Sequence, residues 1–134
     1  MEAGKRILII DDDPDFQWMV GNMLRTNGYE VKSQLEGKTD AVWANAKESD
    51  LILLDILLPG VNGVAIGKEL KSSLETTHIP VILISGQKEC GQMFIESQAD
   101  ALVQKPFSLS GLMIKVQELL YIKDNRPKNL LDGL

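Results

Sequence analysis

Asp11 and Asp12 follow the apolar run ILII, Asp55 follows LILL, Ser85 follows VILI, and Lys105 comes just after ALV. Each of these runs has the composition of a strand buried on both faces. In an open parallel α/β sheet the carboxyl ends of the strands share one edge, so residues far apart in sequence would converge there. Three carboxylates brought together repel and raise one another's pKa values, and a bound cation removes that cost. Mg²⁺ suits such a set. It takes octahedral oxygen ligands, keeps several waters, and is commonly held by one or two carboxylates together with phosphate oxygens.

Asp55 stands alone at the end of the central run. A carboxylate in that place can act as a nucleophile and form an aspartyl phosphate. Asp11 and Asp12 would then hold the metal, directly or through water, together with Asp55, and the backbone carbonyl of Leu57 would complete the protein's share. Lys105 is a point charge with three donors. It is expected to pair with Asp55 before reaction and with a phosphoryl oxygen afterwards. Ser85 can donate to a second phosphoryl oxygen. A cis Lys105–Pro106 bond would aim the lysine. Taken singly, each residue has a plainer reading: a solvated loop aspartate, a turn hydroxyl, an exposed lysine. Their shared position at strand ends argues for the joint one.

The elements that must position these groups follow from periodicity. Arg6 to Ile10 is a buried strand. Asp13 caps a helix with Pro14 in its first turn, and Phe16, Met19, Val20, Met23 and Leu24 form its apolar stripe before Gly28. Trp18 falls off that stripe. Tyr29 to Leu35 is a second strand, Thr39 to Lys47 a helix, and Leu51 to Leu54 a third strand. A loop with Pro59, Gly60 and Gly63 leads to a helix over Val64 to Ser72. Val81 to Ile84 is a strand. A helix over Lys88 to Ser97 is interrupted at Gly91. Ala101 to Val103 is a strand, and Ser108 caps a last helix carrying Leu109, Leu112, Met113, Val116, Leu119 and Leu120. Five βα units of this spacing favour a parallel sheet with helices on both faces.

The 134 residues suffice for one domain with a real core, and 44% apolar with 25% charged residues is an ordinary globular composition. A net charge of -5 without an Arg/Lys cluster argues against a nucleic-acid-binding surface. One cysteine, Cys90, excludes an intramolecular disulfide. The short N-terminal apolar run reaches three aspartates at once, unlike a signal peptide or membrane span, so a cytoplasmic location is expected. Cys90 reads as a packing residue, His78 as a loop residue, and Trp43 as partial core.

These residues resemble the receiver domain of bacterial two-component response regulators. IDDD corresponds to the family's acidic pair at Asp11 and Asp12. DILLPGVNG corresponds to its phosphoacceptor motif, with Asp55, Pro59 and Gly63. ILISG supplies Ser85, and VQKPF supplies Lys105, Pro106 and Phe107. The resemblance implies an α/β fold, a (βα)5 doubly wound parallel sheet of flavodoxin-like type with strand order 2-1-3-4-5. It implies a receiver domain over 1–122 and a C-terminal tail or linker stub over 123–134. It further implies Mg²⁺-dependent transfer of a phosphoryl group to Asp55 from a sensor histidine kinase or a histidine phosphotransfer protein, and slower self-catalysed hydrolysis tuned at Leu57 and Gln87. The other partners implied are a downstream protein, a covalently linked output domain, or a second copy through the face made by helix 4, strand 5 and helix 5. Direct nucleic-acid binding and membrane association are not expected.

Two positions depart from the family pattern. Leu102 stands where an aromatic switch residue is usual, so signalling should use another rearrangement. Gln98 stands where a glycine is usual. Two rival readings stay open from sequence. One is a small phosphatase of the haloacid dehalogenase type using Asp11 as nucleophile, for which the chain is short. The other is a scaffold that keeps the receiver fold without using phosphate. The sequence as read contains no output domain, which leaves a free-standing receiver and one excised from a larger protein both open.

Overall fold

The computed structural model describes residues 4–37, 39–87, 90–105 and 107–125. Its sheet strands, numbered here in chain order, are β1 (Arg6–Ile10), β2 (Glu30–Gln34), β3 (Leu51–Asp55), β4 (Val81–Ser85) and β5 (Ala101–Gln104). The helices are α1 (Pro14–Thr26), α2 (Thr39–Ala46), α3 (Gly63–Ser72), α4 (Gly91–Ser97) and α5 (Leu109–Asp124). All strand pairings in this sheet are parallel, in the order β2-β1-β3-β4-β5. The flavodoxin-like (βα)5 expectation holds.

Side-chain alternation along the apolar runs divides the interior into two cores. Ile7, Ile9, Leu51, Leu53, Ile82 and Ile84 pack against Val20 and Leu24 of α1 and Leu112, Val116 and Leu120 of α5. Leu8, Ile10, Ile52, Leu54, Val81 and Leu83 face the other way, against Val42 of α2, Ile66 and Leu70 of α3, and Cys90 before α4. Residues 7–10, 51–54 and 81–84 are all fully inaccessible, which is why these runs contain no polar interruption. The same parity carries to the strand ends. Asp11, Asp55 and Lys105 continue the series facing α1 and α5, whereas Ser85 continues the series facing α2 to α4.

Local signals start the helices as expected. The Asp13 carboxylate accepts from Asp15 N at 2.9 Å with Pro14 at the first position of α1, and Ser108 Oγ accepts from Gly111 N at 3.0 Å. The stripe of α1 is rotated from the expected one. Phe16, Gln17, Val20, Gly21 and Leu24 are buried, Met19 is 42% exposed and Trp18 is exposed. Gly21 faces β2, where an added Cβ would make ordinary contact with Val31 at 3.8 Å and meet the Arg25 guanidinium at 3.2 Å. The expected loop after β3 contains a hairpin, Leu57–Leu58 against Val61–Asn62, which turns at Gly60 with φ of 71°. Gly63 then begins α3 against the backbone of Asp55 and Ile56, where a Cβ would clash with both carbonyl oxygens.

Gly91 begins α4 instead of interrupting it, and Lys88 lies outside the described residues. Gln98 closes α4 in the left-handed region, at φ 61° and ψ 19°. That conformation is the physical reason a glycine suits this position. α5 runs through Asp124, and residues 126–134 lie outside the described residues.

The amino edge of the sheet is closed by two aspartates. Asp50 accepts from Arg6 N at 2.8 Å and pairs with Lys123 Nζ at 3.3 Å. Asp100 accepts from Val81 N at 2.8 Å and pairs with Lys71 Nζ at 2.9 Å.

Candidate functional site

At the carboxyl edge, Asp11, Asp12 and Asp55 each present a carboxylate oxygen within 4.8 Å of the others. Asp11 is 1% exposed and Asp55 7% exposed, while Asp12 is open to solvent. The register explains the meeting. Ile10 pairs with Leu54 across β1 and β3, so the residue after each pair brings Asp11 beside Asp55. One octahedral cation could take one or two of these oxygens directly and reach the rest through its own waters, so the donor set fits Mg²⁺.

The electrostatics reflect this crowding. Burial pushes the Asp55 carboxyl up to about 6, and the neighbouring Asp11 charge adds to it, against the pull of Lys105 and of Leu57 N–H. Burial also raises Asp11, opposed by the Asp13 N–H that Asp11 Oδ1 accepts at 2.9 Å and by Lys105.

Lys105 lies at the same edge, with one difference from expectation. Its Nζ donates to Asp11 Oδ2 at 3.4 Å, and the ion pair described there is with Asp11, not Asp55. The ammonium also sits 4.7 Å above the ring centroid of Phe16, whose ring meets Phe107 edge-on at 5.9 Å. Pro106, expected to aim the lysine, lies outside the described residues.

Ser85 is 1% exposed and ends β4 beside β3, with Asp55 paired to Ile84. Its Oγ accepts from Gln87 N at 2.9 Å, and its carbonyl accepts from Lys105 N at 2.7 Å. Leu57 donates its N–H to Asp55 Oδ1 at 3.3 Å and leaves its side chain 60% exposed at the rim. Gln104 Nε2 donates to Gln87 O at 2.9 Å, which ties β5 to the loop carrying Ser85. Leu102 is half-buried on the α2 to α4 face. Cys90 is buried, Trp43 packs partly against the same core, and His78 is exposed. His78 is not among the grouped metal-ligating side chains of the described residues.

Two neighbours of the site were not singled out for it by sequence reasoning. Phe16 has only the helical spacing of a core residue. Gln17, on the buried face of α1, donates from Nε2 to Asp11 O at 3.0 Å. Its spacing with Val20, Gly21 and Leu24 is the signal that places it inward.

Comparison with known proteins agrees with this geometry. The family profile described as "Response regulator receiver domain" matches residues 7–117. The DNA-binding dual master transcriptional regulator RpaA of Synechocystis sp. is 34% identical over 125 residues, covering 92% of this chain and 52% of that protein. The chain thus spans about half the length of the curated relatives it matches. A CheY-like receiver domain protein of Methanospirillum hungatei superposes with a TM-score of 0.81 at 26% identity, covering 93% of this chain and all of that one. The receiver domain of sensor histidine kinase PA1611 of Pseudomonas aeruginosa, whose structure has a magnesium ion coordinated in the active site cleft, gives 0.79 at 26% identity. It covers 89% of this chain and 99% of that one. Sheet order, the clustered aspartates and the span of the profile match lead to one assignment: this chain belongs to the response regulator receiver domain family.

Proposed function

We propose that the chain takes a phosphoryl group onto Asp55 from a phosphohistidine of a sensor histidine kinase or histidine phosphotransfer protein. The observation that carries this reading is the meeting of three carboxylates within 4.8 Å, with Lys105 Nζ 3.4 Å from one of them. Mg²⁺, held by Asp11, Asp12, Asp55 and the carbonyl of Leu57, would supply positive charge to the phosphoryl oxygens. A carboxylate oxygen of Asp55 attacks phosphorus as the phosphorus–nitrogen bond to imidazole breaks. Lys105 exchanges its Asp11 partner for a phosphoryl oxygen. Ser85 turns its hydroxyl from the Gln87 N–H and donates to another.

The output follows from that turn. Moving Ser85 displaces Gly86 and Gln87, and Gln104 is attached to Gln87 O. The surface of α4, β5 and α5 would therefore respond without an aromatic residue at position 102. A downstream protein, a linked output domain or a second copy would read that surface. Among the described residues no helix is long and apolar enough to cross a membrane, and we place the receiver, whose last helix continues through Asp124 past the expected boundary at 122, in the cytoplasm.

The test is intact mass after incubation with acetyl phosphate and Mg²⁺, followed by mapping of the modified residue. One added phosphoryl group on Asp55, absent without Mg²⁺, is expected. Modification at Asp11, as the phosphatase reading requires, or no modification at all, would remove the proposal.

A further inference from the structure

We propose that Gln17 is a positioning residue for the cation site: its buried amide fixes the backbone of Asp11, and with it the Asp11–Asp12 pair, where β1 ends. This rests on the phosphoacceptor reading above. The β1–β2 ladder stops at Ile10 opposite Gln34, so the two aspartates lie beyond its last strand pair. Gln17, 5% exposed, reaches that point from α1. Its Nε2 lies 2.9 Å from Ile9 O, 3.0 Å from Asp11 O and 3.0 Å from Gln34 O. Two amide hydrogens are thus shared among three carbonyls. The opposite amide orientation would set Oε1 against all three, so the donor assignment follows from the chemistry.

The arrangement leaves Gln17 Oε1 buried with no partner among the described residues. A buried orphan oxygen is costly, and an apolar side chain of similar size would fill the space without one. The bonds to strand-end carbonyls set this residue apart from a core filler. Gln34 O already accepts Asp11 N at 3.1 Å, so the N–H and C=O of Asp11 are both held, and Gln17 fastens both ends of that link. The remaining freedom of Asp11 is in its side chain, which is itself tied to Asp13 N and Lys105. Carboxylates that repel one another converge on a cation only if their backbones cannot retreat.

The experiment compares the full chain with Gln17→Met, which is similar in size and lacks the donors. Mg²⁺ binding is measured by calorimetry, and acetyl phosphate labelling is measured at saturating Mg²⁺. The Mg²⁺ dissociation constant should rise roughly tenfold, as when an outer-shell partner of a metal site is lost. Labelling at saturating Mg²⁺ should stay near the wild-type rate. Thr76→Val serves as a stability control, because it removes the buried bond from Thr76 Oγ1 to Leu70 O beyond the end of α3. It should lower the melting temperature and leave Mg²⁺ affinity unchanged. A wild-type Mg²⁺ constant in Gln17→Met, or equal weakening in Thr76→Val, overturns the inference. If Gln17→Met does not fold, the wild-type side-chain amide decides by NMR. Slow solvent exchange and a shift on Mg²⁺ binding support the role, and free exchange or no response overturns it. A wild type that binds no Mg²⁺ and is not labelled overturns this inference together with the phosphoacceptor reading. A wild type that does both isolates any failure to Gln17.

Discussion

The two edges of the sheet use aspartate in opposite ways. At the amino edge, Asp50 and Asp100 each have a strand-start N–H and a lysine of their own. Burial works against the Asp50 carboxylate, yet the Arg6 N–H and Lys123 outweigh it and hold its carboxyl below the ordinary value. At the carboxyl edge three carboxylates crowd one another, Lys105 pairs with Asp11, and Asp55 is held up at about 6. The first edge therefore stabilises the fold, and the second stores repulsion that a cation and a phosphoryl group can relieve.

The sharpest way to break this contrast is to neutralise one aspartate at each edge. Asp55→Asn should abolish phosphoryl uptake. In the absence of Mg²⁺ it should also raise stability near neutral pH, by an amount on the order of 2–3 kcal/mol. Asp50→Ala should keep phosphoryl uptake and lose about 1–3 kcal/mol, because it strands a backbone donor and an ammonium. Urea unfolding beside acetyl phosphate labelling measures both. If both variants shifted stability in the same direction, the contrast would fail.

The pH dependence should also differ in sign. The folded pKa of Asp55 lies above its ordinary value, so the unfolded chain releases that proton first. Stability from this group is intact below about pH 4, declines as pH rises, and is fully lost above about pH 6. Mg²⁺ competes with the same proton, so the rise in melting temperature that it gives should be larger near pH 7.5 than near pH 5. Asp50 behaves conversely. Its contribution is complete above about pH 4 and is lost as pH falls through its depressed folded value. Melting curves of wild type and Asp50→Ala should therefore converge only in acid.

Smaller effects sharpen the picture away from the edges. Gln98→Gly should stabilise by about 0.5–1 kcal/mol by relieving a left-handed Cβ, with labelling unchanged. Glu75→Gln, which breaks an exposed 2.9 Å pair with Lys47, should cost under about 0.5 kcal/mol. A larger loss at Glu75 would mean that surface pairs count here as much as the edge clamps.

The strand ends were legible because fully buried strands must be unbroken apolar runs, and each run stops at the residue that meets the site. The face that α1 buries was not, since Met19 and Gln17 both fit a helical stripe and only packing against the sheet put Gln17 inside and Met19 outside. The partner of Lys105 was likewise beyond sequence. Side-chain parity places Asp11 and Asp55 on the same face, and only the folded geometry sets the ammonium 3.4 Å from Asp11.

By itself, the sequence determined that carboxylates, a hydroxyl and an ammonium would close adjacent parallel strands, because apolar periodicity and turn chemistry act locally. Only the tertiary structure decided how those groups share protons, donors and one another's charge. Distances across the sheet depend on helix packing that no local pattern encodes.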